Sequence, residues 1–154
     1  VADSNQLLAA CGLYCGACYH YRASFAEGAY LLERAAAQGK DLNQFTCQGC
    51  RSDRLYIHAG CSNCELRACS ESRGYRHCGE CPEAPCSRLQ AFQHDGHVHH
   101  LPILASLDDL NRLGPDAWLE EQQVRWQCSA CGAAFSWYDS ACPNCGQAVD
   151  SFAT

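Results

Sequence analysis

Apolar residues recur at helical spacing in only a few short runs of this chain. Tyr21, Phe25, Ala29, Leu32 and Ala36 follow one another at intervals of three or four. They predict a helix that begins at Tyr19 or Ser24 and stops at Gly39. Ser24 and Glu27 have capping-box spacing, which favours the later start. CELRACSESR, residues 64–73, reads as a second short helix ended by Gly74, and a third follows Pro85 through Leu89 and Phe92. HDGHVHHLP then reads as a polar loop. SLDDLNRLG, capped by Ser106, and GPDAWLEEQQVRW, with Pro115 in its first turn and Leu119 and Trp126 on one side, predict two more helices. Strand character is confined to residues 134–138, ahead of a turn at Asp139 and Ser140.

Three segments follow from this pattern: a cysteine-rich metal-binding domain over 1–93, a helical connector over 94–125 that lacks cysteine, and a compact unit over 126–154. The expected fold is small and metal-stabilised α+β, with short helices and zinc knuckles followed by a C-terminal zinc ribbon.

Composition changes the question from packing to ligation. Leu, Ile, Val and Phe together number 26 of 154 residues, below the share of about 20% at which a charged chain reads as disordered. Fifteen cysteines supply another source of folding energy. Their count is odd, and no apolar signal segment precedes Cys11, which argues against a disulfide framework. Six C-x2-C pairs occur: Cys15/Cys18, Cys47/Cys50, Cys61/Cys64, Cys78/Cys81, Cys128/Cys131 and Cys142/Cys145. Such a turn aims two sulfurs at one point and suits a tetrahedral ion. The expected setting is therefore reducing and cytoplasmic.

The formal charge of −6 counts every thiol as neutral. Each four-thiolate site holding a divalent ion contributes about −2 more. So acidic a chain is a poor partner for nucleic acid, and no apolar run is long enough to span a membrane. A protein partner is the expectation.

WQCSACGAAFSWYDSACPNCG is the most specific signal. Cys128, Cys131, Cys142 and Cys145 form two knuckles, each followed by a glycine, Gly132 or Gly146, that permits a tight turn. Four thiolates around one zinc leave no place for water or substrate, so the ribbon site is structural. Phe135, Trp137 and Tyr138 are expected to cover the ribbon and pack on Trp126.

The N-terminal thiols allow several groupings. CGLYCGAC gives Cys11, Cys15 and Cys18 the C-x3-C-x2-C spacing of a radical-SAM cluster loop. No strand–helix repeat follows it, however, and Ala17 stands where an aromatic is usual. Zinc knuckles fit better. One grouping is Cys15, Cys18, Cys47 and Cys50 with Cys61, Cys64, Cys78 and Cys81, leaving Cys11, Cys69 and Cys86 unassigned. In another, Cys69, Cys78, Cys81 and Cys86 form the second site. Eleven thiols and one of His20, His58 or His77 would complete three tetrahedral sites. Cys64 and Cys69 lie about 140° apart on a continuous helix and should not share an ion. Three or more zinc ions are expected in all; an iron–sulfur cluster is the alternative for the N-terminal thiols.

CGLYCGACYHY, CQGCR and CELRACSESRGYRHCGECPEAPC together resemble a cysteine-rich bacterial and archaeal family, the domain of unknown function 3795. WLEEQQVRWQCSACGAAFSWYDSACPNCG resembles the ribbon extension of many members. The resemblance implies a small metal-binding protein in which Cys11, Cys15, Cys18, Cys47, Cys50, Cys64, Cys69, Cys78, Cys81 and Cys86 are motif cysteines. It implies no particular reaction.

His94, His97, His99 and His100 invite a second kind of metal site, but a polar loop between helices is expected to be solvated. Arg67, Arg73 and Arg76 form a basic group able to balance thiolate charge. Closed sites expose no chemistry, so a zinc-scaffolded interaction module is the leading expectation and no catalytic residue is assigned. An iron–sulfur redox protein and a thiol-based redox or metal sensor are the alternatives.

Overall fold

The computed structural model describes residues 4–53 and 56–153. Its helices are short: α1 (Ser4–Leu7), α2 (Tyr19–Arg22), α3 (Ala29–Ala37), α4 (Glu65–Ser72), α5 (Ser87–Gln93), α6 (Ile103–Leu113) and α7 (Pro115–Arg125). The β part of the expected α+β fold shrinks to isolated bridges among the described residues, Leu8 with Tyr14, Gln127 with Ala134 and Ala141 with Ala148. The protein is mostly helical. Knuckle turns take up the ribbon residues that longer strands would need: the Cys128 N–H reaches Ala133 O at 2.8 Å, and the Cys142 N–H reaches Gln147 O at 2.7 Å.

The helix expected from Tyr19 or Ser24 to residue 36 is broken into α2 and α3. Gly28 lies so close to the end of α2 that a Cβ there would sit 1.9 Å from Arg22 O. Ser24 forms no capping box. Its hydroxyl donates to Cys47 O at 2.8 Å and accepts the Cys47 N–H at 3.1 Å, joining two cysteine turns. The helices over 65–72 and 115–125 follow the sequence pattern, with Gly74 at φ +72° and Pro115 opening α7. Ser106 is not a cap. It lies inside α6 and donates to Gly12 O at 2.6 Å.

One apolar core serves all three sequence segments. Leu8, Tyr14 and Ala17 meet Leu66, Leu89, Ile103, Leu107, Leu110 and Trp118, and the same cluster takes in Trp126, Phe135 and Trp137. Each fully buried Leu or Ile contributes about 1.5–3 kcal/mol. The C-terminal four-cysteine unit is also sewn to the first cysteine turn by hydrogen bonds. The Trp137 N–H and Ser136 Oγ both donate to Ala17 O at 3.0 Å, and Arg22 Nη2 donates to Ala134 O at 3.0 Å. Phe135 and Trp137 are buried, and Phe135 lies 5.4 Å from Trp126 between ring centroids, as their packing role requires.

Candidate metal centre

Each ribbon knuckle is a turn closed on its own first cysteine. The Gly132 N–H donates to Cys128 O at 2.8 Å and the Gly146 N–H to Cys142 O at 3.0 Å, with both glycines at positive φ. These turns bring the ligand atoms of Cys128, Cys131, Cys142 and Cys145 within 4.8 Å of one another. The Cys128–Cys145 sulfurs are 3.7 Å apart and the Cys131–Cys142 sulfurs 3.6 Å apart. A tetrahedron with zinc–sulfur bonds of 2.3 Å has an edge of about 3.8 Å, whereas a disulfide brings its sulfurs to about 2.05 Å. The spacing fits four thiolates around one ion. Cys131 is brought down to about 6, chiefly by the Asn144 side chain, then by a backbone N–H at Ala133 and by its thiol neighbours. Cys145 feels the lowering N–H of Gln147, yet hydrogen bonding with Cys131 and burial push it up to about 12. The opposite shifts of Cys131 and Cys145 follow from sulfurs close enough to hydrogen-bond one another.

The shifted N-terminal thiols act on one another in two overlapping sets, with Cys64 in both. In the first, burial raises Cys11 and Cys15, with Cys50 the next cause for both. Cys18 is pushed up to about 12 by burial, opposed by the Tyr21 and His20 N–H groups and reinforced by Cys47 and Cys61. Cys61 rises to about 11 through burial and then Cys47, Cys64 and Cys50. In the second, Cys78 rises to about 12 through burial, then Cys86, Cys69, Cys64 and Cys81. Such thiols stay protonated at neutral pH unless a cation displaces the proton. Several sulfurs already accept backbone hydrogen bonds: Cys47 Sγ from the Gly49 N–H at 3.4 Å, Cys15 from Cys50 and Cys50 from Ala10. Among the described residues, these thiols do not converge within 4.8 Å as the ribbon set does.

Two arginines accompany the first set. Arg67 is only 4% exposed; its Nη2 donates to Ser62 O at 2.7 Å, while Nη1 has no partner among the described residues. Its charge lowers Cys50 and Cys61. Arg51 Nη2 is likewise buried and unpartnered among the described residues. A guanidinium out of water requires a counter-charge, and thiolates beside it are the groups able to supply one. His20 and His58 stack at 3.6 Å in the same region. Their Nδ1 atoms lie 2.6 Å from Phe45 O and 2.8 Å from Gln44 O. A carbonyl only accepts, so each Nδ1 carries a proton, and His20, lowered to about 4 by burial and then by His58, presents a lone pair at Nε2.

The histidine loop differs from the solvated loop expected. His99 and His100 are buried. His99 stacks 4.4 Å from Trp137, and its Nδ1 lies 2.6 Å from Tyr138 Oη. Asp95, His97 and His100 have ligand atoms within 4.8 Å of one another. They already form a hydrogen-bonded set: Asp95 Oδ1 lies 3.0 Å from His97 Nδ1, 2.9 Å from His100 Nδ1 and 3.1 Å from the His97 N–H that donates to it. Burial opposes ionisation of Asp95, but these donors hold its carboxyl at about 2. The burial of His99 was not expected from a linear reading, because its neighbours Trp137 and Tyr138 come from a distant segment.

A family model described as "Protein of unknown function (DUF3795)" matches residues 7–91. The chain belongs to this family. The DUF3795 match spans every N-terminal cysteine from Cys11 to Cys86 and ends before the four ribbon cysteines. No curated protein and no solved structure matches the chain. No helix among the described residues is long and apolar enough to cross a membrane.

Proposed function

We propose that this DUF3795 protein is a zinc-scaffolded interaction module: thiolate-held zinc builds its shape, and its surface does its work by contact with another protein. The ribbon sulfur spacing of 3.7 and 3.6 Å carries the reading, since it suits one tetrahedral ion fully enclosed by Cys128, Cys131, Cys142 and Cys145. A site closed in this way polarises no water and binds no substrate. The N-terminal thiols are assigned to metal on two supports: backbone N–H groups donating to their sulfurs, and the buried Arg67, whose charge needs thiolate rather than thiol beside it.

Metal and sulfide analysis of anaerobically purified full-length protein tests the reading. The expected result is zinc at several equivalents per chain, with a colourless solution. Iron with acid-labile sulfide in the N-terminal region would replace the scaffold with an iron–sulfur redox protein. A thiol alkylated rapidly in the zinc-loaded protein would replace it with a thiol sensor.

A further inference from the structure

Below α4 lies a small, partly open cavity lined apart from the C-terminal cysteines. Its volume is about 30 Å³, and Cys69, Cys78, Cys81 and Cys86 all line it, with Leu66 and Leu89 among the apolar walls. Cys69 comes from α4, Cys78 and Cys81 from one tight turn, and Cys86 caps the start of α5. A void of this size admits one small species. Water would need two to four good hydrogen-bonding partners there, and sulfur is a weak one. A tetrahedral metal ion would draw on all four sulfurs, which without it are not gathered within 4.8 Å as the C-terminal set is. At the rim, Arg73 Nη1 donates to Cys81 Sγ at 3.3 Å and is also paired with Glu83, which places a cation against the sulfur.

We propose that Cys69, Cys78, Cys81 and Cys86 form a second closed four-thiolate zinc site, which clamps α4 to the start of α5. It rests on the scaffold reading above but assigns ligands independently of the ribbon. It also sets aside the pairing of Cys78 and Cys81 with Cys61 and Cys64. Cys61 instead feels the charges of Cys47, Cys64 and Cys50 after burial. Cys64 stands just ahead of α4 and Cys69 within it, so one helix serves both sets. Each ion bound here releases the thiol protons to solvent; no bond is oxidised or reduced.

The test counts zinc per chain in full-length Cys69→Ser, Cys86→Ser and the double variant. Each is expected to hold one equivalent fewer than wild type, and the double variant no fewer than either single one. If Cys69 and Cys86 are spectators, all three keep the full complement and the site is overturned. A loss of two equivalents in the double variant overturns it as well. Because a substituted chain may misfold, the wild-type protein supplies a second measurement. It is treated with limiting chelator, alkylated and mapped by peptide mass. Cys69, Cys78, Cys81 and Cys86 are expected to become modified together in the same molecules. Modification of Cys78 and Cys81 together with Cys61 and Cys64, and apart from Cys69 and Cys86, overturns the assignment. Zinc in the ribbon alone defeats this site and spares the ribbon; zinc nowhere defeats both.

Discussion

Asp139 is 2% exposed and gathers three donors: the Tyr30 hydroxyl at 2.6 Å, the Ser136 N–H at 2.7 Å and Arg34 Nη1 at 3.1 Å. Asp139→Ala would leave a buried N–H without its acceptor. The expected loss is about 2–4 kcal/mol, read from urea unfolding of the zinc-loaded protein. Arg34→Met should cost less than about 1 kcal/mol, because half of that arginine faces solvent. His99 gives a pH signature. Burial, followed by the neighbouring His100 and His97, lowers it to about 3, whereas an unfolded histidine titrates near 6.5. Below about pH 6.5 the unfolded chain binds a proton that the folded chain refuses, so stability falls with falling pH, by at most about 1.4 kcal/mol per unit. His99→Phe should show a shallower decline between about pH 6.5 and 5 in unfolding titrations. At this scale the sequence announced the C-terminal cysteine group clearly, because the spacing within each of its two pairs is a local property. It concealed Asp139 and the burial of His99, whose partners lie far along the chain.

At the scale of elements, the helices that were legible carried their own punctuation. Gly74 ends the helix containing Cys69, and Pro115 opens the last one. The broken helix between residues 19 and 37 was not legible, since its apolar spacing is continuous and the break comes from Gly28 pressing on Arg22. Gly28→Ala should therefore destabilise by more than about 2 kcal/mol, as backbone atoms cannot move aside as a side chain can. Gly74 has open space around its missing Cβ but a φ of +72°, so Gly74→Ala should cost only about 1 kcal/mol. Urea midpoints for the two variants check the contrast. Five helical residues do not separate Cys64 from Cys69 onto different sides, because α4 begins at Glu65 and Cys64 stands ahead of it in extended conformation.

For the whole molecule, the proposed ligation would act together with burial. Structural zinc sites contribute about 10–16 kcal/mol of apparent binding energy at neutral pH, whereas the shared core around Leu8, Trp118 and Trp137 is modest. Complete chelation should abolish the cooperative unfolding transition and most of the helical circular dichroism, and readdition of zinc under reducing conditions should restore both. A protein that keeps its helical signal without metal would contradict this. The sequence divided the chain into three segments by composition, but composition carries no record of docking, and the aromatic residues of the ribbon proved to be part of one continuous interior.

That interior has a consequence for how the chain can be cut. Gly96 sits in an exposed turn ahead of α6, while the contacts of Ala17 with Ser136 and Trp137 bridge from one side of that turn to the other. Protease nicking at Gly96 should leave both pieces comigrating on a sizing column, and the halves produced as separate polypeptides should recombine when zinc is supplied.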